Sequence, residues 1–215
     1  MMSTLSQPAQ VDSLAEVTRR ILVAAEGRER FLVALAGPPG SGKSYRSEQL
    51  LQAIDGALPG QVVVVPMDGY HFDNAVLGAS QLAVKGAPQT FDAEGLRVDL
   101  ERIRCADAAV AVPVFDRPLD LARAGGRLVT LAHRIVIVEG NYLLLDQEPW
   151  RALHDLFDLS VMLEVDDATL EQRLIDRWLS MGRDADAARR KALDKDMPNA
   201  RLIKTTSIPP DLVWR

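Results

Sequence analysis

The sequence predicts an α/β fold: a mainly parallel sheet with helices on both faces and a small helical lid. Three observations carry that reading. Short apolar runs at 31–36, 62–65, 135–138 and 159–165 alternate with stretches whose apolar residues recur three and four apart, the order that builds parallel sheets. The first run empties into a glycine-rich turn, GPPGSGKS, that leads straight into a helical segment. Two further runs give way to acids, Asp68 and Glu139, and open parallel sheets bind their ligands at such carboxyl ends of strands.

Residues 1–10 read as a flexible tail and 11–215 as one domain. In 11–26, Leu14, Val17, Ile21 and Leu22 share one helix face. Residues 31–36 form a strand, 44–54 a helix, and the valines 62–65 a strand buried on both faces. Residues 69–91 hold Gly78, Gly86 and Pro88 without a clean period, and read as an irregular excursion. Asp92 can cap a helix with Leu96, Leu100 and Ile103 inward, and Cys105 near its end reads as buried packing. Residues 110–115 are a strand, Ala124, Gly125, Gly126 and Arg127 a turn, and 128–131 a short strand. After the strands 135–138 and 159–165 come a helix from 168 to about 179 and a charged helix over 184–196. Residues 168–197 make up the lid and the helix after it, and 211–214 read as a last strand.

The chain has 215 residues, 47% hydrophobic and 26% charged, which is material for an ordinary globular core. A formal net charge of −5 argues against a dedicated nucleic-acid binder, which carries a basic excess. One cysteine excludes an internal disulfide and a zinc cluster of cysteines. No apolar run nears the ~18 residues of a membrane span. The start, MMSTLSQPAQVDSLAEVTRR, lacks a basic region followed by an apolar one, so the chain is expected in the cytoplasm, away from membranes. No feature of the sequence specifies an oligomer.

GPPGSGKS fits G-x-x-x-x-G-K-[ST], the phosphate-binding P-loop, between a strand and a helix. The cradle runs through Gly37, Pro38, Pro39, Gly40, Ser41, Gly42, Lys43, Ser44 and Tyr45. Its glycines let backbone N–H groups turn inward on phosphate oxygens, and the following helix adds its positive end. Lys43 is expected on the outer phosphates and the Ser44 hydroxyl on Mg²⁺. Asp68, beyond the strand after the P-loop helix, faces the γ-phosphate in this layout. There it either takes the proton of an attacking hydroxyl or makes a simple Asp-Gly turn with Gly69. Glu139 ends the strand IVIV and reads as a Mg²⁺ ligand, direct or through water.

The set GPPGSGKS, MDGYHF, KGAPQTFD, PVFDRPLD and IVIVEGNYLLL resembles the phosphoribulokinase and uridine kinase family, which includes bacterial pantothenate kinase, over nearly the whole chain from Phe31 to Trp214. Within it the motifs are most similar to the bacterial subgroup labelled fructose transport system kinases. The resemblance implies a P-loop kinase fold with ATP and Mg²⁺ as cofactors, Asp68 as base and Glu139 as the acidic strand-end residue. It places Lys85, Thr90 and Asp92 in a pantothenate-kinase-like stretch, and Asp116 and Arg117 in the substrate-side loop. Two departures stand out. The loop PVFDRPLD has no histidine, unlike uridine kinases, which weakens a nucleoside acceptor. The lid segment RLIDRWLSMGRD is shorter and poorer in arginine, leaving Arg173, Arg177 and Arg183 to close on the phosphates.

Tyr70 and His71 follow the base and border the acceptor or only shape the loop. Lys85 holds an anionic substrate group or stays solvated. Arg117 has a planar fork suited to a carboxylate or phosphate, or pairs with Asp116 or Asp120. Asn141 reaches the acceptor or shapes the strand end. The run RDADAARRKALDKD reads as a solvated helix face beyond Arg183. The expected activity is ATP-dependent phosphorylation of a hydroxyl on a small metabolite, a sugar such as fructose, or a pantothenate- or nucleoside-type acceptor. A P-loop switch that signals by shape change is the alternative of another class; the guanine-reading Asn-Lys-x-Asp of GTPases is absent.

Overall fold

The computed structural model describes residues 8–215. Its strands are β1 (Ala9–Val11), β2 (Phe31–Ala36), β3 (Val62–Pro66), β4 (Val110–Asp116), β5 (Leu121–Val129), β6 (Ile135–Gly140), β7 (Leu159–Leu163) and β8 (Leu212–Trp214). Six of them form a parallel sheet in the order β1-β8-β7-β2-β6-β3, while β4 and β5 make a separate antiparallel hairpin. The helices are α1 (Leu14–Ala24), α2 (Lys43–Ala57), α3 (Ala79–Ala83), α4 (Ala93–Cys105), α5 (Asp167–Ser180), α6 (Ala185–Lys191) and α7 (Met197–Thr206).

The central strands are apolar throughout because both faces are covered. Side chains alternate along β2: Phe31, Val33 and Leu35 pack with Val17 and Ile21 of α1 and Leu50 and Ile54 of α2. Leu32, Ala34 and Ala36 pack on the other face, where Leu96, Leu100 and Ile103 of α4, Trp150 and Ile203 close the core. A smaller cluster joins Leu170 and Leu174 of α5 to Ala192 and to Met197 and Ala200 of α7.

Several expectations need correction. Of the expected tail, residues 1–7 lie outside the described residues, and Ala9 and Gln10 belong to β1. Val11 is buried there, and β1 runs beside β8 with Val11 opposite Trp214. Ala124–Arg127 is not a turn but part of β5; the chain reverses at 117–120 instead. The register slips between Val112 and Val114, a bulge that the two glycines accommodate: a Cβ on Gly126 would lie 2.2 Å from Val114 Cγ2. Cys105 is exposed, because the last residue of α4 falls off the face that carries Leu96, Leu100 and Ile103. The charged helix runs on through a π-helical turn (Ala192–Asp196) into α7, with Pro198 just after that turn.

Candidate active site

Three neighbouring strands, β2, β6 and β3, end side by side, and each delivers one part of the site. In register, Leu35 of β2 and Pro66 of β3 both face Glu139 of β6. Beyond β2 the chain makes the P-loop, where Gly42 adopts φ of 89° to start α2, a left-handed conformation that favours glycine. Lys43, the first residue of that helix, is half-buried, and its ammonium donates to Pro38 O at 3.0 Å. Burial lowers its pKa to about 8, against the opposing pull of Glu139 and Asp68. The Ser44 hydroxyl donates to Glu139 Oε1 at 3.2 Å. Glu139 is itself buried, and that burial raises its carboxyl pKa above the usual range. A buried carboxyl beside a serine hydroxyl is a pair of oxygens suited to a hard cation.

Asp68 follows β3 in a short 3₁₀ turn, Met67–Tyr70. Met67 is fully buried and packs so tightly on β6 that a Cβ on Gly140 would lie 2.5 Å from Met67 Cβ, which seats the next residue beside Glu139. Arg117 at the hairpin reversal donates from NH2 to Asp68 Oδ2 at 2.6 Å. Among the described residues no donor reaches Oδ1, which is left to accept from a ligand. Arg117 thus pairs with neither Asp116 nor Asp120; Arg123 takes Asp116 at 3.1 Å.

Asp68, Lys43, Ser44, Tyr45 and Glu139 line one cleft of about 580 Å³ together with His71, Lys85, Arg117, Asn141, Arg177 and Arg183. His71 packs against Phe91 and Phe115 with its ring tilted by 42° and 39° to theirs and centroids 3.9 and 4.7 Å away, and its Nδ1 lies 2.9 Å from Asp68 O. Burial lowers its pKa, so the ring is neutral near pH 7. Lys85 donates to Asn74 Oδ1 at 2.7 Å and pairs with Asp120 at 3.1 Å. On α5, Arg177 and the Trp178 indole both donate to buried Asp196, at 3.1 and 2.7 Å. Arg173 reaches Gly40 O at 3.4 Å and lines an adjoining cavity of about 690 Å³. That second cavity shares Gly40, Gly42 and Tyr45 with the cleft and is walled by Arg46, stacked 4.4 Å over the Trp214 ring.

Two expected acceptor residues point elsewhere. The Tyr70 hydroxyl is turned onto Asp99 of α4 at 2.9 Å, and Asp92 caps α4 by accepting from Gly95 N at 2.8 Å. Both line a separate hollow on the far side of the 3₁₀ turn. The solvated reading of 184–196 holds for Asp184, Asp186, Arg189, Arg190 and Asp194, which are exposed, but not for the whole run: Lys191, Lys195 and Asp196 line the cleft, as does Asn199. Their spacing of four, Lys191, Lys195 and Asn199, was the available signal. Further lining residues are Phe115 and Asp120, which lie in PVFDRPLD but have no role assigned there, and Asn74, Arg46 and Trp214.

A phosphate cradle, a buried strand-end acid and a second acid facing the cradle define a P-loop phosphotransferase. No protein-family model matches the chain. It is 32% identical over 215 residues to the "Putative uridine kinase C227.14" of Schizosaccharomyces pombe, covering 94% of this chain and 90% of that one. The crystal structure of a "putative fructose transport system kinase" from Silicibacter sp. TM1040 superposes with a TM-score of 0.90 at 43% identity, over 95% of this chain and 100% of that one. The pantothenate kinase of Sorangium cellulosum is 33% identical over 162 residues, 72% of this chain and 52% of its own length. The chain belongs to the uridine kinase family of P-loop small-molecule kinases. It is a phosphotransferase with a hydroxyl acceptor and ATP as donor. Among the described residues no helix is long and apolar enough to cross a membrane.

Proposed function

We propose that this kinase phosphorylates a hydroxyl of a sugar-sized metabolite, with Asp68 as general base. The observation that carries the reading is the convergence of Lys43, Glu139 and Asp68 at the ends of three adjacent strands, with Asp68 Oδ1 free to accept. In this reading 11–215 is one catalytic domain whose lid, 168–197, closes over the phosphates.

The P-loop amides and Lys43 hold the phosphates of ATP, and Arg173, Arg177 and Arg183 close from the lid to exclude water. The cavity between Arg46, Trp214 and Thr169 adjoins the cradle and suits the nucleoside end of ATP. Ser44 and Glu139 would hold Mg²⁺, which when bound offsets phosphate charge as it develops. Arg117 fixes one oxygen of Asp68, so the other is aimed at the acceptor hydroxyl; its proton passes to Asp68 as the oxygen attacks the γ-phosphorus and the bond to the β-phosphate oxygen breaks. His71, Lys85 and Asn141 border the acceptor. A sugar such as fructose fits the relative named for fructose transport; the pantothenate-type alternative is favoured by Lys85, which lines the cleft where a carboxylate would rest.

Asp68→Asn tests the reading. Turnover should fall about a hundredfold to ten-thousandfold, the usual worth of a positioned base, while ATP affinity holds. Near-normal turnover in that variant would remove Asp68 from the chemistry.

A further inference from the structure

The helix after α6 widens into the π-helical turn Ala192–Asp196, a feature that recurs where a side chain is re-aimed at a site. Ala192 stays buried against α5, while Lys195 turns to the cleft. The ammonium groups of Lys191 and Lys195 each stand 5.8 Å from the Trp178 ring centroid. Lys195 Cε lies 3.9 Å from where a Cβ on Gly86 would sit, so its head group faces the loop that carries Lys85.

Lys195 is half-buried, yet among the described residues no carboxylate pairs with it or with Lys191. The neighbouring Asp196 is already taken by Arg177 and Trp178. A partly desolvated ammonium without a counterion is costly to keep, and burial pulls its pKa down. The nucleotide has cations of its own on the P-loop side: Arg173 at Gly40, and Arg177, whose field reaches Lys43. Lys195 instead lies beside Gly86, on the acceptor side; the neighbouring Asp196 charge offsets part of its burial penalty, and Asp120 of the hairpin a smaller part.

We infer that the acceptor is itself anionic, carrying a carboxylate or phosphate that Lys195 and Lys191 hold in the cleft. The inference rests on the kinase reading above and narrows its substrate class. It opposes a neutral sugar and admits hydroxy acids and sugar phosphates.

Matched pairs that differ chiefly in the anion test it: gluconate against sorbitol, pantothenate against panthenol, and fructose 6-phosphate against fructose, each in an ADP-release assay. The charged member should have the higher kcat/KM, and the winning pair tells carboxylate from phosphate. Lys195→Gln should raise KM for the charged substrate about ten- to a hundredfold with kcat little changed, the worth of one charge-assisted hydrogen bond. Lys195→Arg should restore it, which a role in packing on Trp178 alone would not require. Equal or better turnover of the neutral members, or an unchanged KM in Lys195→Gln, overturns the inference and leaves the kinase reading standing. If no pair gives substrate-dependent ADP release, calorimetry with a non-hydrolysable ATP analogue decides: binding of a charged member that is lost in Lys195→Gln supports the anion site while the kinase reading falls. No binding of any charged member overturns the inference.

Discussion

Gly69→Ala is the sharpest steric test of how the base is aimed. A Cβ at Gly69 would lie 2.3 Å from Pro113 O and 2.7 Å from Pro113 C, both backbone atoms of β4. No flexible side chain stands there to swing aside, so the 3₁₀ turn and the hairpin must part by about an ångström. Overpacking of this kind costs about 1–3 kcal/mol. The loss of unfolded-state entropy from Gly to Ala returns only about 0.4–1 kcal/mol, so the clash wins. For a chain of this length each kcal/mol lowers Tm by about 2–4 °C. Asp68 is the adjacent residue, and a shift of about 1 Å at a reacting group can cost roughly a hundredfold in rate. The variant should therefore melt several degrees lower, and its kcat should fall by more than the folded fraction explains. Thermal unfolding beside ADP-release kinetics at a temperature where both proteins are folded measures the two effects separately. Wild-type Tm with wild-type kcat would refute the reasoning; a lowered Tm with wild-type kcat would show that the hairpin does not aim Asp68.

Other outcomes follow from the same geometry. Lys43 is charged below its lowered pKa of about 8, so kcat/KM for ATP should fall as pH rises from 7 to 9. Lys43→Arg should be weaker throughout but flat over that range, and a wild-type profile without this fall would contradict the burial argument. The nucleotide-free protein behaves in the opposite sense: its folded Lys43 binds fewer protons than the unfolded chain between pH 8 and 10.5, so this group adds stability as pH rises there. Ser44→Ala removes the hydroxyl beside Glu139 and should raise the Mg²⁺ concentration for half-maximal rate, read from a Mg²⁺ titration at fixed ATP. Asp196→Ala strips a shared acceptor from Arg177 and Trp178 and should destabilise the packing of α5 by about 1–3 kcal/mol, seen as faster hydrogen exchange across α5 and α6.

The central sheet was legible because its chemistry is local. β2, β3 and β6 are unbroken apolar runs, and the cradle's glycines, lysine and serine are adjacent in sequence. The misses share a cause in tertiary context. β1 is three residues long and exists only because β8 pairs with it. The glycines of β5 signal a turn until a bulge packs Gly126 against Val114. Tyr70 and His71 are neighbours with equal claims on the site, and the rotation of one 3₁₀ turn sends Tyr70 to Asp99 and leaves His71 in the cleft. Asp92 shows a second limit, since an acid near a motif and a helix cap look alike in sequence. Lys195 was hidden in a run of charge: its spacing of four from Lys191 and Asn199 puts the three on one side, but the π-helical turn that brings that side to the cleft is written in no residue pattern.

The hairpin β4–β5 shares no ladder with the six-stranded sheet. Phosphate handling is mounted on one backbone lattice, and Phe115, Arg117 and Asp120 of the acceptor side on another. The fold is therefore modular at the level of main-chain hydrogen bonds. Retailoring the hairpin tip while keeping Arg117, which holds Asp68, should change the clientele of the enzyme while its phosphate machinery stays in register, and an engineer seeking a new acceptor would begin at 118–121 rather than in the parallel sheet.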